Sequence, residues 1–137
     1  MDGFLNKKFK LKTSDKFEDY LKFIGVGLIS RKAACSVSPT VSLVRHEDGS
    51  YTFTMSTAIR NVVTHFKLDE EFVEERPDGT KVKSLFKIEN GKLIQTQVDD
   101  NGRKSTYVRE LVDDTLIVRT TVDGWPEVCL RTYELVK

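Results

Sequence analysis

Three residues in the second half of the chain have the types and spacing needed to bind a buried anion. Arg131 and Tyr133 are two apart in a segment, 127–136, with the composition of a β-strand. Their side chains therefore point the same way. Arg109 holds a similar position in another strand-like segment, between an aromatic and an aliphatic residue on one face. An arginine on a core face is costly unless an anion meets it, and a carboxylate fits its planar fork.

Strand alternation alone does not decide whether these arginines face a core or water. The opposite face of the two segments is also largely apolar, and its residues are Val108, Val112, Val128, Leu130 and Val136. Both orientations therefore stay open until the surrounding elements are considered.

Length, charge and cysteine content narrow the class of protein. A chain of 137 residues predicts one domain, 1–137, and 39% hydrophobic with 31% charged residues is ordinary for a globular protein. A formal charge of +1 does not favour nucleic acid as a partner, because no basic excess is present to neutralise phosphates. Cys35 and Cys129 form no CxxC motif, and no segment resembles a signal peptide or a transmembrane helix. We therefore expect a reduced, cytoplasmic, monomeric protein.

One region, about 14–37, has the pattern of two short helices. Residues 13–15 supply possible caps, and Asp15 with Glu18 has the spacing of a capping box. Gly25 is placed to end the first helix, and a second helix fits 26–35. The first helix has apolar residues at helical spacing, which are Phe17, Tyr20, Leu21 and Ile24.

The rest of the chain alternates as β-strands joined by short loops. A first strand fits 9–12, and nine more fit 40–45, 50–57, 60–66, 71–75, 81–89, 92–98, 104–112, 115–121 and 127–136. Short loops predict sequential antiparallel pairing, and a ten-stranded meander avoids open edges by closing into an up-and-down β-barrel. Ten strands in so short a chain leave a cavity, and the helical pair then covers one mouth as a lid.

Several strand faces mix apolar and polar side chains, as expected for the wall of an internal cavity. One strand alternates with lysines opposite Val82, Ser84, Phe86 and Ile88, and two others present Tyr51, Phe53, Met55 and Thr57, and Leu93, Gln95 and Gln97. If these faces point inward, they offer apolar surface with scattered amides and hydroxyls. Exposure to solvent is the alternative for the glutamines.

These features occur in an order that resembles the cytosolic fatty-acid-binding proteins, within the intracellular lipid-binding family that also includes retinoid carriers. The resemblance covers essentially the whole chain. It rests on Phe17-Glu18-Asp19-Tyr20, Gly25-Val26-Gly27, Arg31-Lys32-Ala33, Pro39, Phe66-Lys67-Leu68, Glu70-Glu71-Phe72, Asp78-Gly79, Lys81-Val82-Lys83-Ser84, Val108-Arg109-Glu110 and Cys129-Leu130-Arg131-Thr132-Tyr133.

The resemblance implies a ten-stranded antiparallel barrel under a helix-turn-helix lid, which the strand pattern already predicts. It also implies a non-catalytic carrier, without a cofactor, that binds a long-chain fatty acid. In carboxylate-binding members an Arg-x-Tyr on the last strand and an arginine on the eighth hold the head group. These match Arg131, Tyr133 and Arg109 here. A retinoic-acid carrier is the alternative, because it would use the same three residues.

The chain departs from the family pattern at several positions. Ile59 stands where a portal phenylalanine is common, which predicts a less aromatic gate. Thr80 stands where an arginine often follows the Asp78-Gly79 turn, which predicts one polar group fewer in the cavity. The glycine and tryptophan that usually mark the first strand are absent, which affects local packing only.

Other functions have less support. No nucleophile elbow, GxGxxG, P-loop or HExxH motif occurs, so neither an enzyme nor a metal site is predicted. Lys22, Arg31 and Lys32 give the lid a basic face, which predicts transient contact with membranes or partner proteins. A solvated helix face is the alternative.

Overall fold

The structure is a computed structural model that describes residues 2–76 and 79–137. Within these ranges, no helix is long and apolar enough to cross a membrane. A short 3-10 turn, Asp2–Phe4, precedes the first strand, and two helices, α1 (Phe17–Phe23) and α2 (Leu28–Cys35), follow it. The strands are β1 (Lys8–Asp15), β2 (Thr40–Arg45), β3 (Tyr51–Ser56), β4 (Asn61–Phe66), β5 (Phe72–Glu75), β6 (Lys81–Glu89), β7 (Lys92–Val98), β8 (Lys104–Val112), β9 (Thr115–Val122) and β10 (Cys129–Leu135).

The ten strands form one antiparallel sheet that curls into a nearly closed barrel. Strands that are neighbours in the chain pair with each other, except that β4 and β5 are the two edges and β1 pairs with β10. A side-chain bond joins the edges, since the Thr64 hydroxyl donates to Oε2 of Glu74 at 3.3 Å. This architecture confirms the predicted ten-stranded up-and-down barrel with a helical lid.

The antiparallel order sorts the loops into two ends. The lid joins the end of β1 to the start of β2, so the loops 57–60, 99–103 and 123–128 lie at the lid end. The apolar core lies toward the other end, where Phe4 has no exposed surface. Its ring centroid is 5.5 Å from that of Phe9, in an edge-to-face arrangement. The interior nearer the lid is therefore left for a cavity.

Most strand boundaries were predictable from alternation. The bounds of β2, β6, β7 and β8 agree with the prediction, and the other strands after the lid differ by two residues or fewer at each end. The second helix ends at Cys35 as predicted but begins at Leu28 rather than Val26. Part of the predicted turn at Pro77-Asp78-Gly79 lies outside the described residues.

The predicted cap of the first helix is wrong. Asp15 belongs to β1, where it pairs with Leu130 of β10. Lys16 is the N-cap of α1, in a left-handed conformation with φ of 63°, and it makes no side-chain cap hydrogen bond. The backbone groups of 13–15 are hydrogen-bonded to β10. This pairing stabilises the segment more than one side-chain capping hydrogen bond would.

The lid is fastened to the barrel through a buried tyrosine of α1. Tyr20 is 1% exposed, and its hydroxyl donates to Oγ of Ser105 at 3.0 Å. The same hydroxyl lies 2.9 Å from that of Tyr107, and the two rings meet edge to face. On its other side the Tyr20 ring centroid is 6.0 Å from that of Trp125. These contacts hold α1 over the ends of β8 and β9.

Candidate functional site

The two arginines and the tyrosine selected from the sequence point into the barrel. Arg131 and Tyr133 are 7% and 4% exposed, and Arg109 is 7% exposed. The register brings the arginines level, because both pair with Val118 of β9, one from each side. Strands two apart are separated by roughly 10 Å. Two long side chains at that separation can approach one bound group.

Each guanidinium group has an N–H donor without a hydrogen-bond partner among the described residues. Nη2 of Arg109 donates to Oε1 of Gln95 at 2.9 Å. Among the described residues, neither Nη1 of Arg109 nor Nε of Arg131 has a hydrogen-bond partner, although both atoms are buried. A buried donor without a partner is destabilising, and a charged one more so. An anionic acceptor in the barrel would give both of these N–H groups a hydrogen-bond partner.

Aromatic rings surround the Arg109 guanidinium. Its central carbon lies 4.8 Å from the ring centroid of Phe53, 5.5 Å from that of Tyr107 and 5.8 Å from that of Phe86. Ring faces attract a cation at such distances and stabilise it more when water is excluded. The rings therefore hold Arg109 in place without using up its N–H donors.

Burial determines how the charged groups titrate. Loss of water lowers the pKa of Arg109, and interactions with Tyr107, Tyr133 and Glu74 partly oppose this shift. Burial also raises the pKa of Tyr107 well above its ordinary value, and the neighbouring Tyr20 adds to the increase. Arginine stays charged in proteins at neutral pH. The site therefore presents cations next to a neutral phenol.

A cavity of about 420 Å³ contains these residues and extends to the lid. Pockets that hold small molecules are typically about 300 to 1,000 Å³. Most of its wall is apolar and comes from both the barrel and the helices, as in Phe17, Leu21, Met55, Val62 and Leu116. Ile59 also lines it and is 79% exposed, which places an aliphatic residue at the mouth. The wall suits a hydrocarbon chain.

Two charged residues inside the cavity, Glu74 and Arg76, were missed in the sequence, whereas the inward position of Gln95 and Gln97 was one of the two orientations considered there. Oε1 of Glu74 accepts from Nε2 of Gln95 at 3.0 Å and from Nε2 of Gln97 at 2.9 Å. Arg76 donates to Oε1 of Gln97 through Nε at 3.3 Å and Nη2 at 3.2 Å. Arg76 thus supplies the cavity with a guanidinium, although the threonine at position 80 predicted one polar group fewer there. Arg76 is two residues from Glu74, so the two side chains lie on one face of an extended segment, and this spacing could have identified the pair from the sequence.

The cysteines take no part in the site. Cys35 is exposed and Cys129 is buried, and both are free. Burial raises the pKa of Cys129 to about 11, so its thiol is inert at neutral pH. In the part of the chain that the structure describes, no three His, Cys, Asp or Glu side chains cluster closely enough to hold a metal ion.

The fold and the cavity agree with the comparison to known families. Residues 8–133 match the lipocalin / cytosolic fatty-acid binding protein family. The chain belongs to this family.

Individual relatives are similar over almost their whole length. The chain is 41% identical to fatty acid-binding protein homolog 6 of Caenorhabditis elegans over 128 residues, which are 92% of this chain and 93% of that protein. A fatty acid-binding protein from brain tissue of Drosophila melanogaster is 39% identical, with a TM-score of 0.87 over 96% of this chain and 98% of its own. A Schistosoma mansoni fatty acid binding protein, solved in complex with arachidonic acid, is 32% identical, with a TM-score of 0.91 over 100% and 98% of the two chains.

Proposed function

We propose that the protein is a non-catalytic intracellular carrier of a long-chain fatty acid, whose carboxylate is held by Arg131, Tyr133 and Arg109. The observation that carries the proposal is the pair of level, buried arginines in an apolar cavity, each with an N–H group that has no partner among the residues that the structure describes. A carboxylate supplies negative charge and several acceptor sites at once. The hydrocarbon tail then lies against the apolar wall.

The relatives support the same class of ligand. The three described above are named as fatty acid-binding proteins, and one was solved with arachidonic acid bound. The charges of the cavity add a physical reason, because two inward cations at one level favour an acid over an alcohol. Tyr133 lines the same cavity as the two arginines and lies two residues from Arg131 on one face of β10, which supports a role for its phenol in the proposed anion site.

Titration calorimetry with matched ligands tests the proposal. Stearate, stearyl alcohol and retinoic acid are titrated separately into the delipidated protein. We expect stearate to bind most tightly and the alcohol to bind at least about tenfold more weakly, because it brings no charge to the arginines. Equal affinity for the acid and the alcohol would rule out the anion site. Tighter binding of retinoic acid than of stearate would instead identify a retinoid carrier.

We also propose that the lid contacts membranes when ligand is exchanged. Lys22 is exposed on α1, and α2 exposes Leu28 and Ile29, which are 58% and 87% accessible. Exposed apolar residues and an exposed basic residue on the same lid favour contact with an anionic bilayer surface. Two other predicted basic contacts have partners within the lid. Nη1 of Arg31 donates to the Val26 carbonyl at 2.8 Å, and Lys32 pairs with Glu18 at 2.9 Å.

A further inference from the structure

A single amide connects Arg109 of the proposed anion site to a carboxylate on β5. Nη2 of Arg109 donates to Oε1 of Gln95 at 2.9 Å, and Nε2 of Gln95 donates to Oε1 of Glu74 at 3.0 Å. Gln95 is 4% exposed, and Glu74 lines the same cavity as Arg109. The cation and the carboxylate are therefore linked through one buried side chain.

The groups on either side determine which way the Gln95 amide points. A guanidinium offers only N–H donors and a carboxylate only acceptors, so the amide turns its oxygen to Arg109 and its nitrogen to Glu74. Oγ of Ser84, which is fully buried, accepts from the same nitrogen at 3.0 Å. The opposite orientation would place N–H groups against Arg109 and a carbonyl against Glu74, and buried polar groups without partners are destabilising.

The fixed amide in turn orients the Arg109 guanidinium. This group is planar and rigid, so a hydrogen bond at Nη2 also sets the direction of Nη1. Nη1 is buried and has no partner among the described residues. It is thus an N–H group that Arg109 can offer to a ligand carboxylate. Rotation about the last torsion of a glutamine is otherwise broad, and a free Gln95 amide would not hold Arg109 in one orientation.

Glu74 is itself held by hydrogen bonds from three other side chains. Oε1 accepts from Nε2 of Gln97 at 2.9 Å as well as from Gln95, and the Thr64 hydroxyl donates to Oε2 at 3.3 Å. Negative charge next to a site for an anion would repel the ligand. Direct attraction of a fatty acid therefore does not explain a carboxylate at this position, whereas the orientation of neighbouring amides does.

We propose that Glu74 is a positioning residue for the anion site. It orients the Gln95 amide, and this amide holds Arg109 with Nη1 left for the ligand carboxylate. The inference rests on the proposed function, because it places the carboxylate of the fatty acid at the two buried arginines. Glu74 acts on binding through Arg109 and does not contact the head group.

Two uncharged variants isolate the hydrogen-bond acceptor at position 74. Glu74→Gln keeps an oxygen that can accept from Gln95, whereas Glu74→Met has a side chain of similar length without one. Both variants remove the charge, so a difference between them is due to the acceptor. In calorimetry we expect Glu74→Met to bind stearate about fivefold more weakly than Glu74→Gln, and the two to bind stearyl alcohol within about twofold of each other.

The same comparison without Arg109 tests the route of the effect. In proteins that also carry Arg109→Met, the difference between Glu74→Met and Glu74→Gln should disappear, because the Gln95 amide then has no guanidinium to orient. Equal stearate affinity of the two variants overturns the inference and leaves the proposed carrier intact. A difference that persists without Arg109, or is as large for the alcohol, overturns it as well. Wild-type protein that does not bind stearate overturns both proposals.

Thr64→Val is the matched control for a purely structural role of Glu74. The Thr64 hydroxyl bonds to Glu74 across the gap between β4 and β5, and valine has a similar shape without the hydroxyl. This variant should bind stearate within about twofold of the wild type. A fivefold loss in Thr64→Val would show that Glu74 acts by joining the edges of the sheet, and would contradict the positioning role.

Discussion

Phe17 of the lid packs against Arg131 of the last strand, with 3.8 Å between its ring centroid and the guanidinium carbon. The aromatic face stabilises the cation, and it also covers the proposed anion site from the side of α1. A ligand that binds Arg131 therefore changes the electrostatic partner of a lid residue. Head-group binding and the position of α1 are physically connected at this contact.

Arg131→Ala should weaken fatty-acid binding about ten- to a hundredfold and leave the barrel folded. A charge-assisted hydrogen bond contributes roughly 1.5 to 3 kcal/mol, and more is lost if the carboxylate stays buried without a partner. Calorimetry with stearate measures the loss, and circular dichroism checks the fold. Arg119→Ala is the control, because Arg119 is an exposed arginine on the outside of β9. Unchanged affinity in folded Arg131→Ala would exclude Arg131 from the site.

Tyr133→Phe should have a smaller effect, of about 1 kcal/mol or roughly fivefold in affinity, because it removes one neutral donor and no charge. The ring keeps its place in the core, where Tyr133 is 4% exposed. The same titration with stearate measures this loss of affinity. A larger loss than for Arg131→Ala would mean that the phenol, and not the guanidinium, dominates recognition.

Arg109→Gln should raise the melting temperature of the ligand-free protein while lowering its affinity for stearate. Burial opposes the charge of Arg109, as its lowered pKa indicates, and Arg131 is a second cation at the same level. A glutamine is uncharged and offers an amide donor to Gln95. Removing about 1 kcal/mol of strain would raise the melting temperature by roughly 3 °C in a domain of this size.

Differential scanning calorimetry without ligand gives this temperature, with Arg119→Gln as the control for losing an arginine at the surface. A lower melting temperature for Arg109→Gln would show that the bond from Arg109 to Gln95, at 2.9 Å, stabilises the fold more than the buried charge weakens it. Arg109 would then be a structural residue first.

The strands were predictable because each carries its signal in a few neighbouring residues. Lys81–Glu89 alternates between lysines and apolar side chains along most of its length, and its bounds were predicted without error. The inward position of Arg131 could not be predicted from alternation, because apolar residues occupy both faces of β10. Only the closure of the whole barrel, together with the family resemblance, distinguishes the two faces.

Contacts between distant strands were beyond what alternation can show. Glu74 meets Gln95 and Gln97 because β5 and β7 lie on either side of β6 and the barrel wall curves. No local pattern encodes that curvature. The wrong helix cap predicted at Asp15 has a related origin. The capping pattern is local, whereas Asp15 instead pairs with Leu130 of β10, which is far away in the chain.

Arg103 holds the C-terminal end of α1, a contact that we call the clamp, and its contribution to stability should be sensitive to acid. Arg103, in the loop after β7, donates to the carbonyls of Phe23 and Ile24 at 3.0 and 2.9 Å. Its Nε also donates to Asp99 at 3.2 Å. Asp99 thereby orients the side chain that holds the helix end. Asp99→Asn should weaken this clamp.

The pH dependence of that effect follows from the pKa of Asp99. Burial alone would raise it, but hydrogen bonds from the backbone of Arg103 and Asn101 and the charge of Arg103 outweigh burial and lower it. Ionised Asp99 therefore stabilises the fold above its ordinary pKa of 3.8, and this contribution is lost as pH falls through the lowered value.

Thermal melts followed by the single tryptophan, Trp125, test the clamp, because its ring lies 6.3 Å from that of Phe23 on α1. Asp99→Asn should melt lower than the wild type at neutral pH, and the difference should shrink as pH falls below 3.8 and vanish once pH lies below the lowered pKa of Asp99. Asp100→Asn, one residue along the same loop, is the control. A difference that stays constant with pH would show that the Asp99 charge does not matter.

Transfer of ligand to membranes should depend on Lys22 and on the apolar residues of α2. If the lid touches the bilayer, the rate of transfer from protein to vesicles rises with vesicle concentration and with the fraction of anionic lipid. It falls with added salt, which screens exposed charges. Lys22→Glu should flatten the dependence on anionic lipid, and Ile29→Ser should slow transfer to all vesicles. Stopped-flow fluorescence with a labelled fatty acid measures these rates.

Equilibrium affinity should stay the same in both variants, because neither Lys22 nor Ile29 lines the cavity. Lys67→Glu is the matched charge control, since Lys67 is exposed in the loop after β4, at the end of the barrel away from the lid. It should transfer ligand like the wild type. A wild-type rate that does not change with vesicle concentration would mean that ligand first dissociates into water. The exposed residues of the lid would then have no part in delivery.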